Sequence, residues 1–217
     1  MVDFFQTLLD LLRDPYNGLI GLIAKYDTFI YVILFLIVFA ETGLVFAPLL
    51  PGDSLLFAAG AIAAADNAPL NINTLIVLLF CAVFLGDNTN YFVGKFLGAK
   101  VYEQNYKLFK REYLDKTNQF YEKHGGKTVI MARFVPIVRT FAPFVAGVGA
   151  MKYPRFIFNS ILGSILWINV CLWAGYFFGN IPWVKANFEK VVLLIIFVSV
   201  LPIIIGIIKA KFKKEDA

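Results

Sequence analysis

The chain has 217 residues, 59% of them hydrophobic and only 16% charged, with a formal net charge of +5. A soluble domain of this length has about 25% charged residues, so this much apolar surface calls for lipid around it. The positive charge sits mostly in loops, which marks membrane topology and contact with the lipid surface, not nucleic-acid binding.

Residues 1–13 place Asp3, Gln6, Thr7, Asp10 and Arg13 opposite Phe4, Phe5, Leu8, Leu9, Leu11 and Leu12. This spacing predicts an amphipathic helix lying in the membrane interface, with a linker to residue 27. Its acids and the lack of a basic leader argue against a cleaved secretory signal. A hydrocarbon core needs roughly 20 mostly apolar residues to cross. Four stretches meet that length, at 28–47, 72–94, 156–179 and 189–208. Two more, 51–65 and 129–150, are short or broken by Pro and Gly and read as re-entrant hairpins.

The first repeat thus covers 28–98, with its hairpin at 48–66 between two spans. An amphipathic, basic segment follows over 99–127, with Tyr102, Tyr106, Phe109, Tyr113 and Phe120 on one face and His124-Gly125-Gly126 ending it. The second repeat covers 128–209, a hairpin at 128–151 and two spans, and a basic tail closes the chain at 210–217. Shifting the sequence by 85 residues brings Pro51 onto Pro136, Ala61 onto Ala146 and Tyr91-Phe92-x-Gly94 onto Tyr176-Phe177-x-Gly179.

Eight Lys or Arg lie from Lys95 to Lys127, and Lys209, Lys211, Lys213 and Lys214 add four more at the C-terminal end, whereas 48–71 has none. The positive-inside tendency then places the central loop and both termini in the cytoplasm. The hairpins would enter from opposite faces, making the repeats inverted, with broken helices meeting near the midplane as in transporters. The expected fold is an all-α membrane protein of about four transmembrane helices plus two re-entrant helical hairpins in an inverted repeat, with peripheral amphipathic helices.

Charge inside the spans marks the candidate site. Glu41 lies in an otherwise apolar span, where a carboxylate costs on the order of 2.5–3.5 kcal/mol at mid-depth. Such a group is a candidate for proton coupling or ion pairing, or it reaches water at the mouth of the span. Pro48, Pro51 and Gly52 break the helix and free backbone groups that only protein or a wet cavity can satisfy. Asp53 follows as a second proton-coupling or ion-pairing candidate, or as a plain N-cap.

Arg133 and Arg139 lie in the second hairpin, broken at Pro136 and Pro143. Arginine keeps its proton, so each needs an anion, and a guanidinium holds phosphate oxygens in bidentate fashion. Candidate partners are Glu41, Asp53 or a ligand phosphate or carboxylate. Both arginines are therefore candidates for phosphate binding, or they form salt bridges that only fasten the hairpins. Late in the second span Asp87, Asn90 and Tyr91 form a secondary cavity candidate, although interhelical hydrogen bonding explains such residues as well.

Other chemistry finds little support. Cys81 and Cys171 read as buried apolar residues. His124 is the one histidine, and neither a Cys/His cluster nor a nucleotide-binding glycine loop occurs. No metal, no cofactor and no covalent catalysis are expected.

The E-T-G-L…P-x-L-P-G-D run at 41–53, the G-D-x-x-x-Y-x-x-G run at 86–94 and the R-F-x-P-x-x-R-T run at 133–140 together resemble the DedA family of bacterial inner-membrane proteins. The likeness extends over about 28–208. It implies a multi-pass protein of the bacterial inner membrane, active in envelope homeostasis and linked to the proton motive force. It also implies translocation of an anionic polyprenyl-phosphate lipid such as undecaprenyl phosphate. By position, the family's essential acids match Glu41 and Asp53 and its essential arginines Arg133 and Arg139. The partners expected are the lipid bilayer, that lipid and protons, and association with a second copy of the chain is compatible with this. A proton-coupled small-molecule or cation antiporter, or a non-transporting scaffold, would use the same residues differently.

Overall fold

The structure is a computed structural model and describes residues 11, 14–44, 52–66, 68–104, 126–134, 136–149, 151–187, 190, 191 and 194. Every regular element among them is helical. Asp14 opens the first helix, α1 (Pro15–Tyr26), by accepting from the Asn17 backbone N–H at 3.1 Å, with Pro15 at the first helical position. Proline suits that place because its missing N–H has no intrahelical partner there anyway. At Asp27 φ turns to +44°, a 3-10 turn spans Asp27–Phe29, and α2 (Ile30–Gly43) continues the run.

Together Pro15–Gly43 form one membrane-length stretch of 29 residues. This stretch thus extends back to Pro15, through what reads from composition as interfacial helix and linker. The cap at Asp14 and the proline behind it set the start, and hydropathy cannot register either one. Lys25 does not interrupt the helix; its ammonium lies 5.5 Å from the Tyr26 ring centroid.

Gly52–Ala63 forms the short helix α3, buried over almost its whole surface. The second long helix, α4, runs from Ile72 to Gln104. Lys127–Ala132 (α5) and Pro136–Val148 (α6) are two short helices joined by a turn at Arg133 and Phe134. The third long helix, α7, covers Tyr153–Phe178, and Pro182–Ala186 (α8) ends the described run. Three stretches are thus long and apolar enough to cross a membrane among the described residues. The fourth expected span, 189–208, lies outside them but for three positions. Residues 1–10 and 105–125, with most of the two predicted amphipathic helices, also lie outside, as do Pro48 and Pro51.

Helix α7 shows why lipid must surround the bundle. Phe156, Ser160, Ser164, Trp167, Ile168 and Leu172 are buried, whereas Phe158, Leu162, Ile165, Val170 and Phe177 are exposed. Its two serines point inward and its outward stripe is largely apolar, the reverse of a water-facing helix.

Two of the short helices are wedged against a long helix from the other half of the chain: α3 packs on α7, and α6 packs on α4. Both crossings bring backbone onto backbone, which requires residues without side chains. A Cβ on Gly60 would strike the Leu172 carbonyl and one on Gly175 the Phe57 carbonyl. At the other crossing, Gly94 meets the Phe144 carbonyl and Gly147 the Tyr91 carbonyl. Gly94 and Gly179, matched by the 85-residue offset, both face a short helix, at Phe144 and Ala61 respectively. The helix α2 lies along α4, where Gly43 and Gly86 approach so closely that a Cβ on Gly43 would stand 3.2 Å from the Gly86 Cα.

Candidate functional site

The centre of the bundle holds two buried ion-pair clusters, one around each hairpin arginine. Arg139, on the first turn of α6, donates through Nη2 to Glu41 Oε1 and through Nη1 to Asp53 Oδ1. Glu41 comes from the last turn of α2 and Asp53 from the first turn of α3. Trp167 of α7 completes the group: its indole Nε1–H donates to Asp53 Oδ1 at 2.7 Å, and its ring centroid lies 4.8 Å from the Arg139 guanidinium carbon. Relative exposures of 1% for Glu41, 5% for Arg139 and 9% for Asp53 put this charge out of reach of bulk water. Such charges persist in a low-dielectric interior only when paired and hydrogen-bonded.

Sequence context builds this geometry. A Cβ on Gly52 would overlap the Glu41 carboxylate, so glycine at that position lets the start of α3 close over the acid. Asp53 lies inside the first turn, with its carboxylate engaged by Arg139 and Trp167. The reading of Asp53 as a plain N-cap gives way to that of an ion-pair partner. The helix still favours an acid there, because the positive end of its dipole faces it. Pro143, within α6, has no N–H to give the Arg139 carbonyl four residues earlier, so the backbone beside the arginine loses its usual intrahelical donor. Glu41 Oε2 and Arg139 Nε are buried and have no hydrogen-bond partner among the described residues.

The second cluster forms around Arg133 at the turn between α5 and α6. Its Nη1 donates to Asp87 Oδ1 at 3.2 Å and its Nη2 to Asp87 Oδ2, so the pair is bidentate. Ser160 donates to Asp87 Oδ2, and Ser164 accepts from Arg133 Nη2 at 2.9 Å. Arg133 does not meet Glu41 or Asp53. The two arginines, both candidates for phosphate binding, stand in separate clusters, and Asp87 is the internal counterion of Arg133.

Asn90 links the elements around Arg139. Its amide nitrogen donates to the Thr42 carbonyl at 3.0 Å and to the Thr140 carbonyl at 2.7 Å, tying α4 to both α2 and α6. Tyr91 has a packing role: its hydroxyl donates to the Met151 carbonyl, and its ring stacks on Phe156 at 4.4 Å between centroids. Asp87, Asn90 and Tyr91 thus have different partners: Arg133, the Thr42 and Thr140 carbonyls, and the Met151 carbonyl. Ser160, Ser164 and Trp167 escaped the reading of the sequence. Their spacing of four and three in an apolar span was the available signal, since such a stripe puts polar groups on one helix face. Cys171 lies one turn beyond Trp167 on α7 and carries a free thiol. No group of three or more His, Cys, Asp or Glu able to hold a metal ion occurs among the described residues.

These features define a multi-pass helical membrane protein whose interior carries paired charges at the starts and ends of broken helices. Residues 50–177 match the VTT domain family. Over 211 residues the chain is 51% identical to protein DedA of Escherichia coli strain K12, covering 97% of this chain and 96% of that one. An uncharacterized membrane protein of Mycobacterium tuberculosis is 42% identical over 183 residues, 84% of this chain and 80% of its own. Inner membrane protein YqjA of Escherichia coli is 33% identical over 154 residues, 70% of this chain and 69% of its own. No solved structure matches. The chain belongs to the DedA family of VTT-domain membrane proteins.

Proposed function

We propose that this protein carries an anionic polyprenyl-phosphate lipid, undecaprenyl phosphate or a close relative, across the bacterial inner membrane, linked to the proton motive force. The observation that supports this most is Arg139, buried between two carboxylates from two different helix ends. A guanidinium held by internal acids can exchange them for an incoming phosphate, and those acids are the groups on which protons can act. The prenyl chain stays in lipid while the headgroup passes between the broken helices. No covalent step is part of this reading, and envelope homeostasis is the role it serves.

The architecture that goes with it has two re-entrant hairpins related as an inverted repeat, with both termini in the cytoplasm. The reciprocal seating of α3 on α7 and of α6 on α4 supports that arrangement. So do the matched contacts of Gly94 and Gly179.

Reconstituted into liposomes, the protein should move a labelled polyprenyl phosphate between leaflets. Arg139→Ala and Glu41→Ala should each abolish this movement when compared at equal amounts of reconstituted protein. An antiporter that keeps its arginines as fixed counterions would instead tolerate Arg133→Lys and respond to no lipid. A scaffold would keep its function in all these variants. Transport by Arg139→Ala at the wild-type rate removes the proposal.

A further inference from the structure

The two arginines do not share a site, yet one helix serves both. Ser160 and Ser164 of α7 face the Arg133 cluster and Trp167 the Arg139 cluster, and all three are buried. Spaced by four and three, they form one stripe. At about 1.5 Å of rise per residue, Ser160 and Trp167 stand ~10 Å apart along the axis.

In each cluster a carboxylate occupies the point where the donors converge. Asp87 accepts from both terminal nitrogens of Arg133 and from the Ser160 hydroxyl, while Ser164 helps to aim the guanidinium. Asp53 accepts from Arg139 Nη1 and Trp167 Nε1 at a single oxygen. A phosphomonoester presents several oxygens to the same planar fork and would use the same donors. The buried, unpartnered Arg139 Nε is a donor that a larger oxyanion could engage and that Asp53 and Glu41 leave unused.

We infer that α7 carries two successive stations for a phosphomonoester oxyanion, Arg133 with Ser160 and Arg139 with Trp167, and that Asp87 and Asp53 are the internal anions holding each station between ligands. The inference rests on the phosphate reading above and divides its single site into two. The headgroup displaces the carboxylate from one arginine and then from the next as it moves along the stripe. No bond is made or broken.

The test titrates full-length protein in lipid nanodiscs with farnesyl phosphate, and in a parallel arm with inorganic phosphate, against empty nanodiscs. Calorimetry counts equivalents. Replacing Trp173 and Trp183 by Phe leaves Trp167 as the one indole among the three in the chain, so its fluorescence reports the second station. Two equivalents of farnesyl phosphate per wild-type chain are expected. Ser160→Ala should weaken one equivalent about tenfold and shift the Trp167 titration less than twofold. Arg139→Gln should remove the Trp167 response and leave one equivalent. A single equivalent on the wild-type chain overturns the two stations but leaves the lipid-phosphate reading intact, and that count needs no variant to fold. No binding of farnesyl phosphate to the wild type overturns both. Two equivalents of inorganic phosphate at the affinity of farnesyl phosphate support the stations and remove the lipid as their ligand.

Discussion

Arg133 and Asp87, 46 positions apart in the chain, meet as a buried bidentate pair with side-chain exposures of 2% and 1%. The pair joins the turn after α5 to the middle of α4, and Ser160 and Ser164 bring α7 to it. Three parts of the fold therefore depend on one charge being matched.

Removing one partner leaves the other charge buried and unpaired, which costs about 3–5 kcal/mol. Arg133→Ala and Asp87→Ala should each lower the thermal unfolding temperature of the purified protein in detergent and reduce its abundance in membranes. The double variant Arg133→Gln/Asp87→Asn removes both charges and keeps polar groups in place. It should regain most of the lost stability. If the double variant falls by the sum of the two single losses, the residues are not coupled.

At Arg139 a test of shape separates from a test of charge. Arg139→Lys keeps the positive charge, but a single ammonium cannot reproduce a planar fork that reaches Glu41 and Asp53 through different nitrogens and lies beside the Trp167 ring. The expected result is at least a tenfold loss of lipid-phosphate translocation in proteoliposomes, with membrane abundance close to wild type. Retention of the full rate would mean that charge alone suffices there.

The charged residues were legible in the sequence because burying charge in lipid is costly, whereas Pro143, expected to break the second hairpin, lies inside the continuous helix α6. That is why Glu41, Asp53, Asp87, Arg133 and Arg139 stood out against apolar spans. Their pairing was not legible. Arg133 meets Asp87 and not Glu41 because the turn at 133–134 rests on α4 and α7, a matter of helix packing that no local pattern encodes. Trp167 stayed hidden for another reason: a tryptophan in an apolar span looks like core or interface until its N–H is seen to reach a carboxylate.

Glycines at the helix crossings give a prediction about packing with an internal control. A Cβ on Gly60 would overlap the Leu172 carbonyl, an atom of rigid backbone, while a Cβ on Gly21 meets nothing within 4 Å. Gly60→Ala should force α3 off α7 and destabilise the protein by about 1–3 kcal/mol, as overpacking does. Gly21→Ala lies inside α1 and should be neutral or stabilising by roughly 0.5–1 kcal/mol through lower chain entropy. Unfolding temperatures of the two variants, measured side by side, should move in opposite directions or differ by several degrees.

Asn90 offers the sharpest contrast between two near-isosteric changes. Its amide nitrogen faces two carbonyl oxygens, Thr42 at 3.0 Å and Thr140 at 2.7 Å, in a position with no solvent exposure. Asn90→Leu removes both donors, and the Thr42 and Thr140 carbonyls lose their side-chain hydrogen bonds, at about 0.5–1.5 kcal/mol for each bond lost. Asn90→Asp is closer in shape, but when ionised it turns an acceptor toward two acceptors and adds a negative charge to an interior that already holds Glu41, Asp53 and Asp87. The aspartate variant should therefore be the less stable of the two despite its better fit, and its unfolding temperature should rise on acidification toward that of Asn90→Leu. Equal stability of the two at neutral pH would show that the link from α4 to α2 and α6 does not depend on the amide donor.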